Sequence, residues 1–277
     1  MIFCEKSVTN CKYGRPRVHP SIQGKTIHTQ YGVLMMVILL LCLPAIGNAA
    51  ATGRLWSYFN LTSLVSPNWA IIAMPGMRYE FARSDDPSML PAKGVYFYEL
   101  FVGPVFTKNH GAFTFKLPLW YYYMGFPSTG TYSYSHNIEV LPILSYRFGK
   151  TTLTSRTIFH NTIYASVYDT SYQRTGYSLV VRQMLQIAHE IDERATLILA
   201  DEPFFGVIED KQAPPSPIGF WPKGFRLNRV YAGLQYRLTP RITVSPQYVL
   251  ETVHDEGTVT DVNQYLFVTI SYVLKLF

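Results

Sequence analysis

The last thirteen residues of the chain, YLFVTISYVLKLF from Tyr265 to Phe277, alternate between two rows of side chains. One row is apolar throughout, whereas the other contains Thr269, Ser271 and Lys275. A period of two is typical of a β-strand with two different faces. Chain ends are usually polar and frayed, so this ending predicts a terminal strand that pairs with another strand. The apolar row is Leu266, Val268, Ile270, Tyr272, Leu274 and Leu276.

The same alternation recurs along most of the chain. It is clear in FTFKLPLWYYY (113–123), NIEVLPILSYRF (137–148), RVYAGLQYRL (229–238) and RITVSPQYVLET (241–252). Strands of soluble proteins have about 5 or 6 residues, whereas a tilted membrane strand needs about 9–11. Segments of 10 to 17 residues therefore predict membrane strands. The eleven segments are 55–64, 69–82, 94–106, 112–123, 134–148, 152–168, 176–190, 195–205, 225–238, 241–253 and 263–277.

The connections between these segments alternate in length. Short turns on one side and longer loops on the other are the pattern of an outer-membrane barrel. The sequence therefore predicts an all-β fold, a single antiparallel up-and-down barrel in the outer membrane of a bacterium. The short connections are 65–68, 107–111, 149–151, 191–194 and 239–240. The longer ones are 83–93, 124–133, 169–175, 206–224 and 254–262.

The strand number and the closure of the barrel follow from two general rules. Bacterial barrels normally have an even number of strands, so we expect ten to twelve strands and favour twelve over ten. Lipid offers no water to an open sheet edge, so the terminal strand is expected to close the barrel against the first. The aromatic last residue, Phe277, is similar to the terminal signature that the barrel-insertion machinery reads. It shares its phase with Lys275 rather than with the apolar row.

Residues 1–49 are predicted to be an N-terminal extension followed by a cleaved signal peptide. The run VLMMVILLLCL (33–43) forms the apolar h-region, with Lys25 upstream and Pro44 directly after it. The small residues GNAA follow at 47–50, and cleavage after Ala49 fits this pattern best. A short buried helix is the alternative. The barrel domain would then comprise residues 50–277.

The composition excludes several other classes of protein. The chain is 48% hydrophobic but only 15% charged, whereas soluble domains carry about 25% charged residues. No apolar stretch reaches the roughly 20 residues of a membrane helix. Removal of residues 1–49 takes away five of 24 basic and one of 18 acidic residues, so the net charge falls from +6 to +2. The basic balance is therefore no argument for nucleic acid. The three cysteines, Cys4, Cys11 and Cys42, also lie there, which excludes disulfides from the mature chain.

If the apolar rows face lipid, the alternate rows face the lumen and carry charges of both signs. These charges can pair into a network, because an unpaired buried charge costs several kcal/mol. Alternatively, they line an Arg-biased pore that attracts small anionic solutes. We expect a small passive channel or a ligand-binding barrel, with a filled structural or adhesive barrel as an alternative. The lumen residues are Arg78, Glu80, Glu99, Lys116, Glu139, Arg147, Arg156, Arg182, Glu190, Arg229, Arg237 and Glu251.

A barrel enzyme is the remaining alternative. An omptin-like protease uses an Asp pair and an Asp–His pair on facing loops, and Asp85–Asp86 and His254–Asp255 lie in two of the long connections. A lipid-modifying enzyme would need a His and a Ser in register, and the nearest segments, YSHN (134–137) and FHNT (159–162), lack that arrangement. Because metal-ligand spacings, phosphate-binding loops and dinucleotide fingerprints are all missing, we predict no metal and no cofactor.

A family resemblance is carried by the last third of the chain. Its elements are Arg182 at the start of a strand, Glu202 with Phe204, NRVYAGLQY at 228–236 and Tyr248. With these, residues 182–277 resemble a family of uncharacterised bacterial outer-membrane β-barrels, known only as a domain of unknown function. Residues 55–83 fit loosely as its first hairpin. The resemblance implies a fold and a location among outer-membrane lipids, and it implies no activity.

Overall fold

The computed structural model of the chain describes residues 50–83, 94–128, 131–166, 174–210, 220–255 and 257–277. The extension, the signal peptide with its h-region 33–43, and Asp85 and Asp86 lie outside these ranges. Within the described part, no helix is long and apolar enough to cross a membrane.

Twelve β-strands make up the described chain. They are β1 (Ala50–Leu64), β2 (Trp69–Arg83), β3 (Gly94–His110), β4 (Phe113–Ser128), β5 (Thr131–Val140), β6 (Ile143–Phe148), β7 (Thr151–Ser166), β8 (Arg174–Glu190), β9 (Ala195–Ile208), β10 (Gly224–Arg237), β11 (Ile242–Asp255) and β12 (Thr258–Lys275). The alternation of apolar and polar side chains favours these strands. Most of them begin and end within a few residues of the predicted segments.

The strands form one closed up-and-down barrel, which confirms the predicted fold class. Apart from β5 and β6, each strand pairs with its neighbours in sequence order, and β1 pairs with β12, so that the sheet formed by the described strands has no free edge. In that closing pair, Tyr58 lies opposite Thr269 and Leu55 lies opposite Leu266. The terminal strand therefore joins the first one, as its two-faced pattern predicts.

β5 and β6 share one position in the barrel, between β4 and β7. Only Leu141 and Pro142 separate them, and the ladder continues across the break. The N–H of Leu141 donates to the Pro118 oxygen at 3.0 Å, and the N–H of Thr157 donates to the Pro142 oxygen at 3.0 Å. Pro142 interrupts the strand because proline has no N–H to donate. The barrel consequently has eleven strand positions.

Eleven positions lie within the expected ten to twelve, but they differ from the favoured twelve and from the even-number rule. With an odd number of positions, the first and last strands run in the same direction, and β1 and β12 indeed pair in parallel. Ala50 and Lys275 therefore lie at opposite ends of the barrel. All other neighbouring strands are antiparallel.

Three of the five connections at one end of the barrel are longer than any at the other end, whereas the expected long connections 124–133 and 254–262 are reduced to two residues each. One end, here called the loop rim, carries the connections 84–93, 129–130, 167–173, 209–223 and 256–257. The other end, the turn rim, carries 65–68, 111–112, 149–150, 191–194 and 238–241. Gly111 and Gly149 open the two-residue turns with φ of +58°, a backbone conformation that glycine adopts without the steric cost of a Cβ.

The outer face of the barrel is a continuous apolar belt. Large, exposed apolar side chains occur along the strands, among them Phe59, Ile71, Leu100, Leu185 and Leu266. A soluble protein rarely exposes so large an apolar surface, so the belt is compatible with a lipid-facing wall. At the turn rim, Phe277 lies beyond the end of β12, and the Lys275 ammonium is 4.7 Å from its ring centre. This position explains why Phe277 is out of phase with the apolar row.

Candidate functional site

The inside of the barrel contains an interior network of arginine and glutamate side chains. Each of the ten takes part in at least one ion pair with another member. Strand alternation places them there, because their positions are in phase with the inward row of each strand. Five charges of each sign make the interior network neutral. Its members are Arg54, Arg78, Arg156, Arg182, Arg229, Glu80, Glu99, Glu139, Glu202 and Glu251.

Glu99 is the most heavily bonded carboxylate of the interior network. It accepts from Arg78 Nη2 at 2.5 Å, from Trp56 Nε1 at 3.1 Å and from the Tyr122 hydroxyl at 3.0 Å. The Tyr58 hydroxyl donates to it as well. Four donors from β1, β2 and β4 therefore compensate for the loss of water around a carboxylate that is only 3% exposed.

Glu202 and Glu251 have similar surroundings. Glu202 accepts from Arg156 at 2.8 Å, Arg182 at 3.0 Å and the Tyr231 hydroxyl at 2.7 Å. Glu251 accepts from Arg229 Nε at 2.6 Å, from the Asn263 amide at 2.8 Å and from the Tyr265 hydroxyl at 2.9 Å. Each carboxylate thus accepts several charged or polar donors, as buried charges require.

Aromatic and apolar side chains fill the middle of the barrel and form what we call the plug. The guanidinium of Arg229 on β10 lies 5.0 Å from the ring centre of Trp56 on β1, although two strands separate β10 from β1. Contacts of this kind join side chains from strands that are not neighbours in the sheet. The plug consists of Trp56, Tyr58, Phe97, Phe101, Tyr122, Met124, Met184, Ala200, Tyr231, Val249 and Tyr265.

Two guanidinium groups contact aromatic rings at the top of the plug. Arg229 lies 4.7 Å from the ring centre of Phe204 and 5.0 Å from that of Trp56. Arg78 lies 4.0 Å from the ring centre of Trp56 and 4.4 Å from that of Phe97. Such cation–π contacts stabilise by about 0.5–2 kcal/mol each, so they hold the guanidinium groups in fixed positions.

An interior cavity of about 680 Å³ lies between the plug and the loop rim. Its floor includes the plug residues Tyr122, Met124 and Tyr265, and its lining also includes the exposed side chains of Glu209, Asp255 and Thr260. The interior cavity therefore extends from the plug to the loop rim. The remaining lining residues are Arg54, Arg78, Tyr96, Phe97, Phe126, His160, Val180, Arg182, Phe204, Asp210, Phe220, Trp221, Pro222, Arg226, Leu227, Arg229, Glu251, Val253 and His254.

The structure places the predicted lumen residues in two groups. Eight of the twelve belong to the interior network: Arg78, Glu80, Glu99, Glu139, Arg156, Arg182, Arg229 and Glu251. Of the other four, Lys116, Arg147 and Arg237 are exposed, and Arg147 pairs with Glu190 at 2.9 Å near the turn rim. The predicted row is therefore interior along its middle and solvent-exposed at its turn-rim end.

Sequence reasoning missed several residues of the site. Arg54 precedes the predicted start of the first strand by one residue. Glu202 lay on a predicted strand but was not assigned to the lumen, although its alternation with Ala200 and Phe204 carried that signal. His160, interpreted as an ordinary strand residue, is 5% exposed and lies 2.8 Å from Glu139. Trp221, which lines the interior cavity, lies in a long connection, and alternation of side chains gives no signal there.

Of the protease candidates, His254 and Asp255 lie at the end of β11 and not in a long connection as expected. Arg226 Nη1 lies 2.5 Å from Asp255 Oδ1, so this carboxylate is already paired. His254 Nε2 lies 3.0 Å from the Thr252 hydroxyl, and its ring is 4.5 Å from that of Phe225. Asp85 and Asp86 lie outside the described residues. Among the residues that are described, no group of three or more His, Cys, Asp or Glu could hold a metal ion.

Comparison with known families matches residues 53–263 to a family described as "Protein of unknown function (DUF2490)". The match covers more than half of the chain. The chain belongs to this family. The resemblance read from residues 182–277 is thereby confirmed, and it extends far upstream of those residues. A search of curated proteins gives no match.

Proposed function

We propose that the protein is an outer-membrane barrel that binds a small molecule in the interior cavity and passes no solute through its lumen. The apolar belt and the strand lengths support a position in a membrane. The volume of about 680 Å³ falls within the range of small-molecule sites, which are mostly apolar with a few fixed polar groups.

The plug favours ligand binding over conduction as the function of the barrel. A passive channel needs a continuous water-filled path, and the plug residues from β1, β3, β4 and β8 to β12 interrupt that path. The neutral interior network adds no net charge that would draw ions through. The exposed Lys116 and Arg237 lie away from the interior cavity and take no part in it.

Cysteine labelling tests this proposal, because the barrel itself contains no cysteine. In a background with Cys4, Cys11 and Cys42 replaced by Ser, we compare Val253→Cys with Val249→Cys. Val253 lines the interior cavity, whereas Val249 belongs to the plug and is 0% exposed. Both side chains are on the inner face of β11, four residues apart, which is about 13 Å along a strand.

A water-soluble, membrane-impermeant thiol reagent should modify Val253→Cys at least about tenfold faster than Val249→Cys. Equal, fast modification of both would indicate a continuous water-filled lumen and would contradict the proposal. If neither position reacts in folded protein, the interior cavity is closed to solvent and the proposal also fails.

A further inference from the structure

The hydrogen-bonding capacity of the interior cavity floor is unbalanced. Among the described residues, Arg229 donates only through Nε, to Glu251, so both of its terminal nitrogens keep free donors. Arg78 donates only through Nη2, and its buried Nε has no acceptor. Arg54 uses Nε and Nη1, which leaves Nη2 without an acceptor in this part of the chain. All three residues line the interior cavity and are at most 9% exposed.

The two carboxylates that pair with Arg78 and Arg229, those of Glu99 and Glu251, have no such surplus. Glu99 accepts from four donors and Glu251 from three. A guanidinium can only donate hydrogen bonds, whereas an ionised carboxylate can only accept them. The group that completes this floor must therefore be an acceptor. At this floor, a cationic head group would be repelled by the three guanidinium groups, and the carboxylates of Glu99 and Glu251 already accept hydrogen bonds from other side chains.

The three guanidinium groups also lie around one pair of side chains, Tyr265 and Glu251. Arg54 Nη1 donates to the Tyr265 hydroxyl at 3.0 Å, and this hydroxyl donates to Glu251, which also accepts from Arg229. Arg54 and Arg78 lie 5.7 Å and 5.9 Å from the ring centre of Tyr265. Their ion pairs and ring contacts hold them in place, so binding would cost little side-chain ordering.

The wall above this floor is apolar. Phe97, Phe126, Phe204 and Leu227 line it, and Trp221 stacks on Phe204 with the ring planes 17° apart. A ligand that fills the interior cavity would bury an apolar body against these side chains, at about 25 cal/mol per Å² of apolar surface removed from water. The polar floor and the apolar wall together fit an amphipathic molecule.

We propose that the interior cavity binds an organic acid with an apolar body, whose carboxylate accepts hydrogen bonds from Arg54, Arg78 and Arg229. This inference rests on the proposed binding function and adds the chemical class of the ligand. Charge-assisted hydrogen bonds from guanidinium to carboxylate are among the strongest that proteins make.

The test uses the full barrel in lipid nanodiscs and three probes with the same ten-carbon chain: decanoate, decanol and decylammonium. Isothermal titration calorimetry at pH 7.5 measures each affinity, with empty nanodiscs subtracted to remove partition into lipid. We expect decanoate to bind at least about tenfold more tightly than decanol, with decylammonium the weakest of the three.

Two variants locate the effect at the head group. The double variant Arg229→Gln with Glu251→Gln removes both charges of one ion pair and keeps side chains that can bond to Asn263 and Tyr265. It should lower the preference for decanoate over decanol at least about threefold. The matched control, Arg147→Gln with Glu190→Gln, neutralises an ion pair near the turn rim and should leave the preference unchanged.

A further pair locates the apolar body. Leu227→Trp fills the interior cavity and should weaken decanoate and decanol alike. Leu185→Trp adds the same bulk on the outer face, where Leu185 is 58% exposed, and should change neither affinity. Faster migration of unheated samples on denaturing gels confirms that each variant is folded.

The outcomes separate the two proposals. Equal affinity for decanoate and decanol, or a preference for decylammonium, would overturn the ligand class, as would a failure of the wild-type protein to bind any of the probes. Binding that Leu227→Trp does not weaken would place the ligand elsewhere and would also overturn it. The proposed function is judged independently by the labelling of Val253→Cys and Val249→Cys.

Discussion

Arg78 Nη2 lies 2.5 Å from Glu99 Oε1, and the same guanidinium lies 4.0 Å from the ring of Trp56. One arginine on β2 thus contacts a carboxylate on β3 and an indole on β1. The Glu99 side chain is fully buried and that of Arg78 is 11% exposed. An ion pair so far from water ties the interior network to the plug, and the first prediction follows from it.

Replacing Glu99 by Leu should destabilise the barrel strongly. The substitution leaves Arg78 buried without its carboxylate and removes the acceptor for Trp56, Tyr58 and Tyr122. Breaking a buried pair from one side costs about 3–5 kcal/mol. Urea unfolding in detergent micelles, followed by tryptophan fluorescence, measures the change in the free energy of unfolding.

The control for this experiment is Glu190→Leu. Glu190 also pairs with an arginine, Arg147, but the two side chains are 39% and 57% exposed. Exposed pairs contribute about 0–1 kcal/mol, so this variant should unfold close to wild type. Equal losses of unfolding free energy in the two variants would show that the buried Arg78–Glu99 pair contributes no more to stability than an exposed pair.

Gly76 packs against the plug residue Tyr58, and we expect a methyl group at Gly76 to destabilise the barrel. Tyr58 lies opposite Gly76 in the β1–β2 pair, and a Cβ at Gly76 would lie 2.1 Å from the Tyr58 ring. Gly76→Ala should therefore push the Tyr58 hydroxyl away from Glu99 and cost about 1–3 kcal/mol, as overpacking of a core does.

The matched control for Gly76→Ala is Ala73→Val, which adds methyl groups to the outer face of the same strand. Valine favours strands, so no loss of stability is expected from it. A Gly76→Ala variant with wild-type unfolding would mean that the Tyr58 ring can move away freely, and the plug would then be less rigid than its contacts imply.

The parallel closure of the barrel can be tested by a disulfide. Ser57 lies opposite Val268 in the β1–β12 pair, and neighbouring strands are about 4.8 Å apart, within reach of a disulfide. In the cysteine-free background, Ser57→Cys with Val268→Cys should cross-link on mild oxidation. Mass spectrometry of a tryptic digest detects the linked peptides.

A pair out of register serves as the control for the cross-link. Ser57→Cys with Tyr272→Cys places the second cysteine four residues, about 13 Å, further along β12, and it should not cross-link. Efficient linkage of this pair, or none of the first, would contradict the register and the eleven-position closure.

The strands and the identity of the two faces could be predicted from the sequence, because alternation with a period of two is a local property. The eleven segments visible in the sequence correspond to the eleven positions of the barrel. The preference for twelve came from the even-number rule. Pro142 divides one position into two strands, β5 and β6, and alternation continues through that break.

The ion pairs of the interior network could not be predicted in the same way. Which arginine meets which glutamate depends on the stagger of non-local strands; Arg156 on β7, for example, reaches Glu202 on β9, two strands away. The plug also could not be predicted from local sequence patterns. Inward aromatic residues such as Trp56 and Tyr231 look the same in sequence whether they line a pore or fill it.

Conductance in a planar lipid bilayer tests the central claim, the blocked lumen, most directly. Folded wild-type protein should give no steady ion current. The variant Trp56→Ala with Tyr58→Ala and Tyr122→Ala shortens three side chains of the plug and should give resolved current steps, whereas truncation of the outward-facing Phe59, Phe115 and Leu119 to Ala should give none. Steady current steps from the wild-type barrel would contradict the account.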